Sequence, residues 1–316
     1  MSLAKSILFC GALLALSANA SAVTMSWSYV GDLGNAAGSI GLGAVDHPYY
    51  IGKYDVTNRQ YVEFLNAKDP SGANQLGLYT SNMSNVASGG ITFNSSGPLG
   101  SKYTLIAGDE DHPVTSVTWY SAARFTNWLN NGQGASDTES GAYTFIGGGI
   151  QPPSPSHRNS GAEIFLPTRD EWFKAAYYNP VTSSYFDYPT GSSSPPIASG
   201  PSGLPNSANY NKVVNHPTNV GAYTGTTSPY GAFDMGGNVW QMTETLFGLF
   251  RSIGGGSYFN DASFMKGNSQ SDFDTIDGQS ATFMGFRVAM IPEPSTLALA
   301  AFGFIGLAAW RWRRSR

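Results

Sequence analysis

Asp234 and Gln241 bracket an oxygen-rich stretch, Asp-Met-Gly-Gly-Asn-Val-Trp-Gln. A carboxylate, a side-chain amide and flexible glycines within one turn can wrap a hard cation, which takes several oxygen ligands at about 2.3–2.6 Å. The same residues also suit an Asx-type turn with no ion. A second stretch runs from Arg251 as RSIGGGSYFNDASFM. Its three glycines allow backbone to approach another group closely. Ser257, Tyr258, Asn260 and Met265 follow, and with Trp240 they form a candidate pocket. None of them is a strong nucleophile or a base. The histidines are His47, His112, His157 and His216; three precede proline, which favours extended backbone, and none forms a helical i, i+4 zinc pair. There is no phosphate-binding P-loop and no G-x-S-x-G elbow, and Asp109, Glu110 and Asp111 read as solvated loop acids.

The elements that position these residues are few. Thr57 with Gln60 and Thr168 with Glu171 are capping boxes, each followed by apolar residues at helical spacing. Thr118 can cap a third helix over Trp119–Leu129, with Ala122, Phe125, Trp128 and Leu129 inward. Two Gly/Ser/Pro-rich stretches, Asn131 to Ala162 and Thr182 to Ser207, read as surface excursions within one domain. Short strands are expected at Ser252–Ile253 and Phe286–Met290. Few helices beside a large irregular half imply an α+β domain over 45–290, preceded by a lead-in at 21–44.

Both ends read as sorting signals. Lys5, the apolar Ile7 to Ala18 and the small-x-small Ala18-Asn19-Ala20 form an export signal over 1–20. The one cysteine, Cys10, lies inside it, so the processed chain has no disulfide and no thiolate. At the other end, residues 291–316 run from Ile-Pro-Glu-Pro-Ser-Thr through the apolar Leu297 to Trp310 and finish with arginines. At 1.5 Å per residue that apolar run spans about 21 Å, short for a bilayer. This order resembles the PEP-CTERM signal of Gram-negative bacteria. The resemblance implies transient inner-membrane contact through the helix, recognition by an exosortase-type enzyme, and delivery to the cell surface or matrix. Removing 1–20 and 295–316 deletes Lys5 and four arginines, leaving 12 basic against 21 acidic residues and a net charge of −9. A body that acidic, with no basic stripe, argues against nucleic acid as partner.

Several segments then occur in order: Tyr50-Ile-Gly-Lys-Tyr-Asp-Val-Thr-Asn-Arg-Gln-Tyr61, Pro113-Val-Thr-Ser-Val-Thr-Trp119, Leu166-Pro-Thr-Arg-Asp-Glu-Trp172, Asp234 to Trp240, Gly255-Gly-Ser257 and Gly285-Phe-Arg287. Together, from Tyr49 to Ala289, they resemble the formylglycine-generating enzyme, or sulfatase-modifying factor, family. The resemblance implies a C-type-lectin-like α+β fold with little regular structure and bound calcium. By position, one calcium would take the side chains of Asp234 and Gln241 and the carbonyls of Gly237 and Val239. Gln241 stands where the family usually has glutamate. A second calcium would involve Asn209 and the Tyr210 carbonyl.

The family's oxidases hold copper(I) with two cysteines after the Gly-Gly-Ser; Asn260 and Met265 stand there here. Copper is therefore not expected, because an amide and a neutral thioether are poor substitutes for soft thiolates. Another branch uses iron on three histidines from an added helical domain, which has no counterpart here. Other members use the scaffold for recognition alone. The expectation is an exported, surface-associated domain without catalytic residues, binding a polysaccharide or peptide through the pocket. The rival readings are an oxidase with other ligands and a calcium-dependent lectin.

Overall fold

The structure, a computed structural model, describes residues 22–267 and 274–292. The export signal and the C-terminal apolar run lie outside the described residues. Three threonines start the three α-helices. Thr57 caps α1 (Asn58–Lys68), and its hydroxyl accepts the Gln60 N–H while the Gln60 side chain accepts the Thr57 N–H. Thr168 and Glu171 do the same for α3 (Arg169–Tyr177). At α2 (Trp119–Asn130) the box with Thr118 is closed by Ser121, a partner the sequence did not announce. Each such cap satisfies N–H groups that a helix start leaves without partners.

Helices α1 and α2 meet through aromatic rings. Tyr61, Phe64, Phe125 and Phe286 lie with centroids 5.3–6.4 Å apart, and Trp128 joins them. They form the main core with Val56, Trp119, Tyr143, Trp240 and Met242. A second core sets α3 against Tyr49, Ile51 and Val45 through Trp172, Phe173 and Ala176.

Two four-stranded sheets complete the frame. The first comprises β1 (Trp27–Val30), β2 (Tyr49–Gly52), β3 (Ile164–Phe165) and a closing strand at Ala289–Met290, in the order β1, β2, closing strand, β3, all antiparallel. The second comprises β4 (Trp240–Phe247), β5 (Phe250–Gly254), β6 (Asp274–Ile276) and β7 (Met284–Phe286), in the order β6, β5, β4, β7. Here β4 pairs antiparallel with β5, and β7 lies parallel to β4 with Gln241 opposite Gly285. The closing strand of the first sheet is β8. The strand expected over Phe286–Met290 is thus divided: the chain leaves the second sheet at Phe286 and joins the first at Ala289. Arg287 and Val288 make the crossing, and the fully buried Arg287 side chain is bonded where a continuous strand would place a neighbour.

The Asn131 to Ala162 stretch is more than a surface excursion. Ala142 and Tyr143 are fully buried in the main core, and the Asn127 side chain grips the stretch by donating to the carbonyls of Thr138 and Tyr143. Its glycine content hides this, since the anchoring residues are single and aperiodic.

Candidate functional site

The turn at Asp234 is held by protein groups. Asp234 and Asn238 both adopt left-handed backbone, at φ of 54° and 60°, a conformation that Asp and Asn tolerate. Asn238, which the sequence reading passed over, staples the turn to the 209–218 loop. Its side-chain oxygen accepts from Thr218 N–H and from Asn209 Nδ2, and its Nδ2 donates to the Thr218 carbonyl. Gly237 has no room for a side chain, because a Cβ would sit 2.5 Å from the Asn209 carbonyl.

Gln241 lies on β4, not in a loop. Its Oε1 accepts from Trp172 Nε1 at 2.6 Å and from Arg287 Nε at 2.7 Å, and its Nε2 donates to the Asp234 carbonyl at 2.6 Å. Both lone pairs of that oxygen are in use. Arg287 donates further to the Gly52 carbonyl at 2.8 Å and the Phe233 carbonyl at 2.9 Å, and its Nη2 is 3.3 Å from buried Asp55. A guanidinium therefore lies against the Gln241 oxygen that the resemblance assigns to calcium. Asp234 gives its Oδ2 to the Gly221 N–H. Val239 is fully buried. In the second candidate set, Asn209 Nδ2 faces two acceptors, which fixes the amide's orientation and leaves Oδ1 buried with no donor. The Tyr210 carbonyl accepts from Val213 N–H. Among the described carboxylate and amide oxygens here, Asn209 Oδ1 and both oxygens of buried Asp55 have no hydrogen-bond donor, and the Gln241 oxygen that the resemblance assigns to calcium is spent. That set falls short of the six to eight oxygens calcium takes, so these residues do not fit it as they stand. Among the described residues no group of three or more His, Cys, Asp or Glu converges for a metal.

The triple glycine has a local cause. A Cβ on Gly254 would meet the Trp172 ring at 2.6 Å, and one on Gly255 would meet the Met235 carbonyl at 2.7 Å. The close approach is thus to the protein's own indole. Downstream, Ser257 is buried and donates from its N–H and Oγ to Asn260 Oδ1, at 3.1 and 2.7 Å. Tyr258 is buried and donates its N–H to the Asn238 carbonyl. Met265 is fully buried in a cluster with Tyr188 and Tyr210. Three of the five residues of the expected pocket, Ser257, Tyr258 and Met265, therefore form interior, and the half-buried Asn260 spends its oxygen on Ser257. Copper(I) does not fit this donor set: one position offers an engaged amide and the other a neutral, sealed thioether.

Trp240 alone of the five lines open space. On one side, toward Trp172, Gly254 and Phe264, only about 40 Å³ remains, room for water and little else. On the other side lies a cleft of about 470 Å³ lined by Trp240, Ile253, Thr275, Gln279, Phe283 and Met284. That is the size of a small-ligand site. No periodic pattern marks Phe283 or Gln279, which follow β6 in an irregular connection.

The family model for the sulfatase-modifying factor enzyme 1-like domain matches residues 43–291. The chain belongs to that family. A PEP-CTERM protein-sorting motif matches 291–314, so this family member is exported and addressed to an exosortase-type enzyme. Hercynine oxygenase of Mycolicibacterium smegmatis is 31% identical over 116 residues, 36% of this chain and 25% of that protein. The chain thus aligns with only about a quarter of that relative's length. Treponema denticola variable protein 1 has the same fold, with a TM-score of 0.52, 18% identity and coverage of 86% of this chain and 97% of that one. The structure of CarF is similar at a TM-score of 0.54 and 20% identity, covering 85% and 99%. The fold is the family's C-type-lectin-like α+β fold with little regular secondary structure.

Two of the buried charge clusters in this family member hold carboxylates with strongly shifted proton affinity. Asp55, Asp234 and Arg287 form one. Burial pushes Asp55 up to about 7 and Asp234 up to about 6, in each case against the pull of Arg287. The second joins the segment just before β2, the 131–162 stretch, α3 and β4. Glu171 accepts from His47 Nε2 at 2.9 Å and from Arg158 at 2.6 and 3.0 Å, and Arg158 also lies 3.4 Å from Glu244. Burial alone would raise Glu171, but these donors outweigh it and hold it at about 2. Burial wins at Glu244, which rises to about 7 while accepting from Tyr143 at 2.8 Å. Sequence reasoning could not pair these residues, because nothing periodic links positions so far apart.

Two outcomes follow. Gln241→Ala strands the Trp172 N–H and the Arg287 Nε in the interior. It is expected to cost about 2–4 kcal/mol, read by denaturant unfolding, and a loss under 1 kcal/mol would contradict the assigned network. The pH response has a definite sign. Asp55, Asp234 and Glu244 bind protons more tightly folded than unfolded, so their contribution is full below about pH 4 and is lost as pH rises toward 7. Glu171 acts oppositely, its contribution fading as pH falls from about 4.5 toward 2. The melting temperature should therefore peak on the acid side and fall by at least about 5 °C between pH 5 and pH 8. Glu244→Gln should flatten that slope, and a melt that rises toward pH 8 would refute the assignment.

Proposed function

We propose that this exported protein is a family member without oxidase chemistry that works by binding, as a surface or matrix component. One observation carries the reading. The two positions that resemblance assigns to copper-holding cysteines are an amide spent on Ser257 and a methionine closed into the core. With Cys10 in the export signal, the exported body offers no thiolate to hold copper(I) or to attack a substrate.

What remains of the site is a wall. Trp240, only 3% exposed, is one of the residues lining a cleft large enough for a ligand, while the space on its other side is closed down by Trp172 and the glycine run. Rigidity in this reading comes from the Arg287 and Gln241 bonds rather than from calcium. The sorting motif supports display at the surface, where binding without turnover is a sufficient role.

The direct test is to incubate the purified exported form with copper(I), oxygen and a cysteine-containing sulfatase-type peptide, and to follow the peptide by mass spectrometry. No aldehyde is expected. Copper-dependent aldehyde formation at catalytic turnover would overturn the proposal.

A further inference from the structure

The cleft beside Trp240 continues onto an aromatic surface. Phe283, at its edge, is 37% exposed, and Phe259, 51% exposed, lies with its ring 19° from parallel and 6.4 Å away. Lys212 sets its ammonium 3.9 Å from the Phe259 centroid. That placement is built in. Asn211 and Lys212 both take left-handed backbone, at φ of 56° and 59°, and their N–H groups donate to the carbonyls of Asn260 and Tyr258. For lysine this conformation is strained, and such strain persists only where surrounding structure imposes it. The fold spends it on holding a cation against an exposed phenyl ring.

The occupant can be argued from four features. First, the floor residues Trp240 and Ile253 lie on β4 and β5, each paired on both sides, so the floor itself presents side chains, and the edge strands β6 and β7 bound it at Thr275 and Met284. Second, two near-parallel exposed rings present a flat apolar step, which suits the C–H face of an equatorially linked sugar ring. Third, the rim carries Gln279 and Ser280, neutral groups that hydrogen-bond to hydroxyls. Fourth, the body without its sorting segments carries a net charge of −9, which repels a polyanion and not a neutral polymer.

We propose that the Trp240–Phe283 cleft, extended by Phe259 and Lys212, binds a neutral β-linked hexose polysaccharide by stacking, without calcium. This rests on the non-catalytic binding reading above, and names the ligand class for it.

Native affinity electrophoresis tests it, with hydroxyethylcellulose, dextran or alginate dissolved in separate gels. The exported form should be retarded by hydroxyethylcellulose more than by dextran or alginate, and equally in excess chelator. Phe259→Ala and Phe283→Ala, both surface changes, should each weaken the retardation by roughly five- to tenfold. Lys212→Asn, which tolerates the left-handed backbone, should weaken it less. Absence of retardation by hydroxyethylcellulose would overturn the proposal. So would retardation unchanged in both phenylalanine variants, stronger retardation by alginate, or loss in chelator. Each of those results leaves the aldehyde assay untouched, so failure of the ligand assignment is separable from failure of the non-catalytic reading.

Discussion

The Arg287 guanidinium is the constraint on which the two sheets depend. It sits at the crossing between β7 and β8, fully buried, and its three nitrogens reach a strand end in one sheet, a strand residue in the other and the turn between them. An ion in the interior persists only when its hydrogen bonds are met. Gly52, Phe233 and Gln241 accept them while Asp55 pairs with the charge, and in doing so each becomes fixed relative to the others. The Asp234 turn inherits its position from this set through the Gln241 amide. Trp172 inherits its position too, since its indole N–H shares the Gln241 oxygen, and the glycines at 254–256 then have to yield to the indole ring.

That chain of dependence explains why the reactive region reads as interior. Once Trp172 lies flat on Gly254, the backbone after the glycines is held close to the Asp234 turn, and Met265 packs with Tyr188 and Tyr210 beneath it. Met265 is well suited to fill an irregular gap. A thiolate pair in the same volume would need a metal or a proton to neutralise it. Asn260 and Met265 thus serve packing and internal bonding in this chain, with Trp240, itself only 3% exposed, between them and the neighbouring cleft.

Much of the scaffold was legible in the sequence. The capping boxes at Thr57 and Thr168 located α1 and α3 because cap chemistry is local and specific. The ordered motifs gave the family and its fold. The strand near the C-terminus was read as continuous because Arg287 looks like a polar residue in an alternating pattern. Its interior bonds are to residues more than forty positions away, where sequence spacing carries no information. The site was less legible still. Ser257, Tyr258 and Met265 are residue types found in pockets and in cores alike, and only packing decides between them. Gln241 reads as a cation ligand when seen as part of a loop. On a strand, beside an arginine, it is an acceptor already engaged.

Arg158 and Arg251 play comparable parts elsewhere in the domain. Arg251 lies over the Trp119 ring and binds Asp277 and the Pro155 carbonyl, so it clamps the irregular connections flanking the cleft. Buried arginines stand at the junctions in this domain, which has short strands and long connections. The central proposal is that the Asn260 amide and the Met265 thioether, both engaged inside the protein, do not hold copper(I). Titration of the exported form with copper(I) against a competing chromophoric chelator tests it most directly. The account predicts no copper withdrawn from the chelator; one copper per chain, bound tightly enough to win the competition, would contradict it.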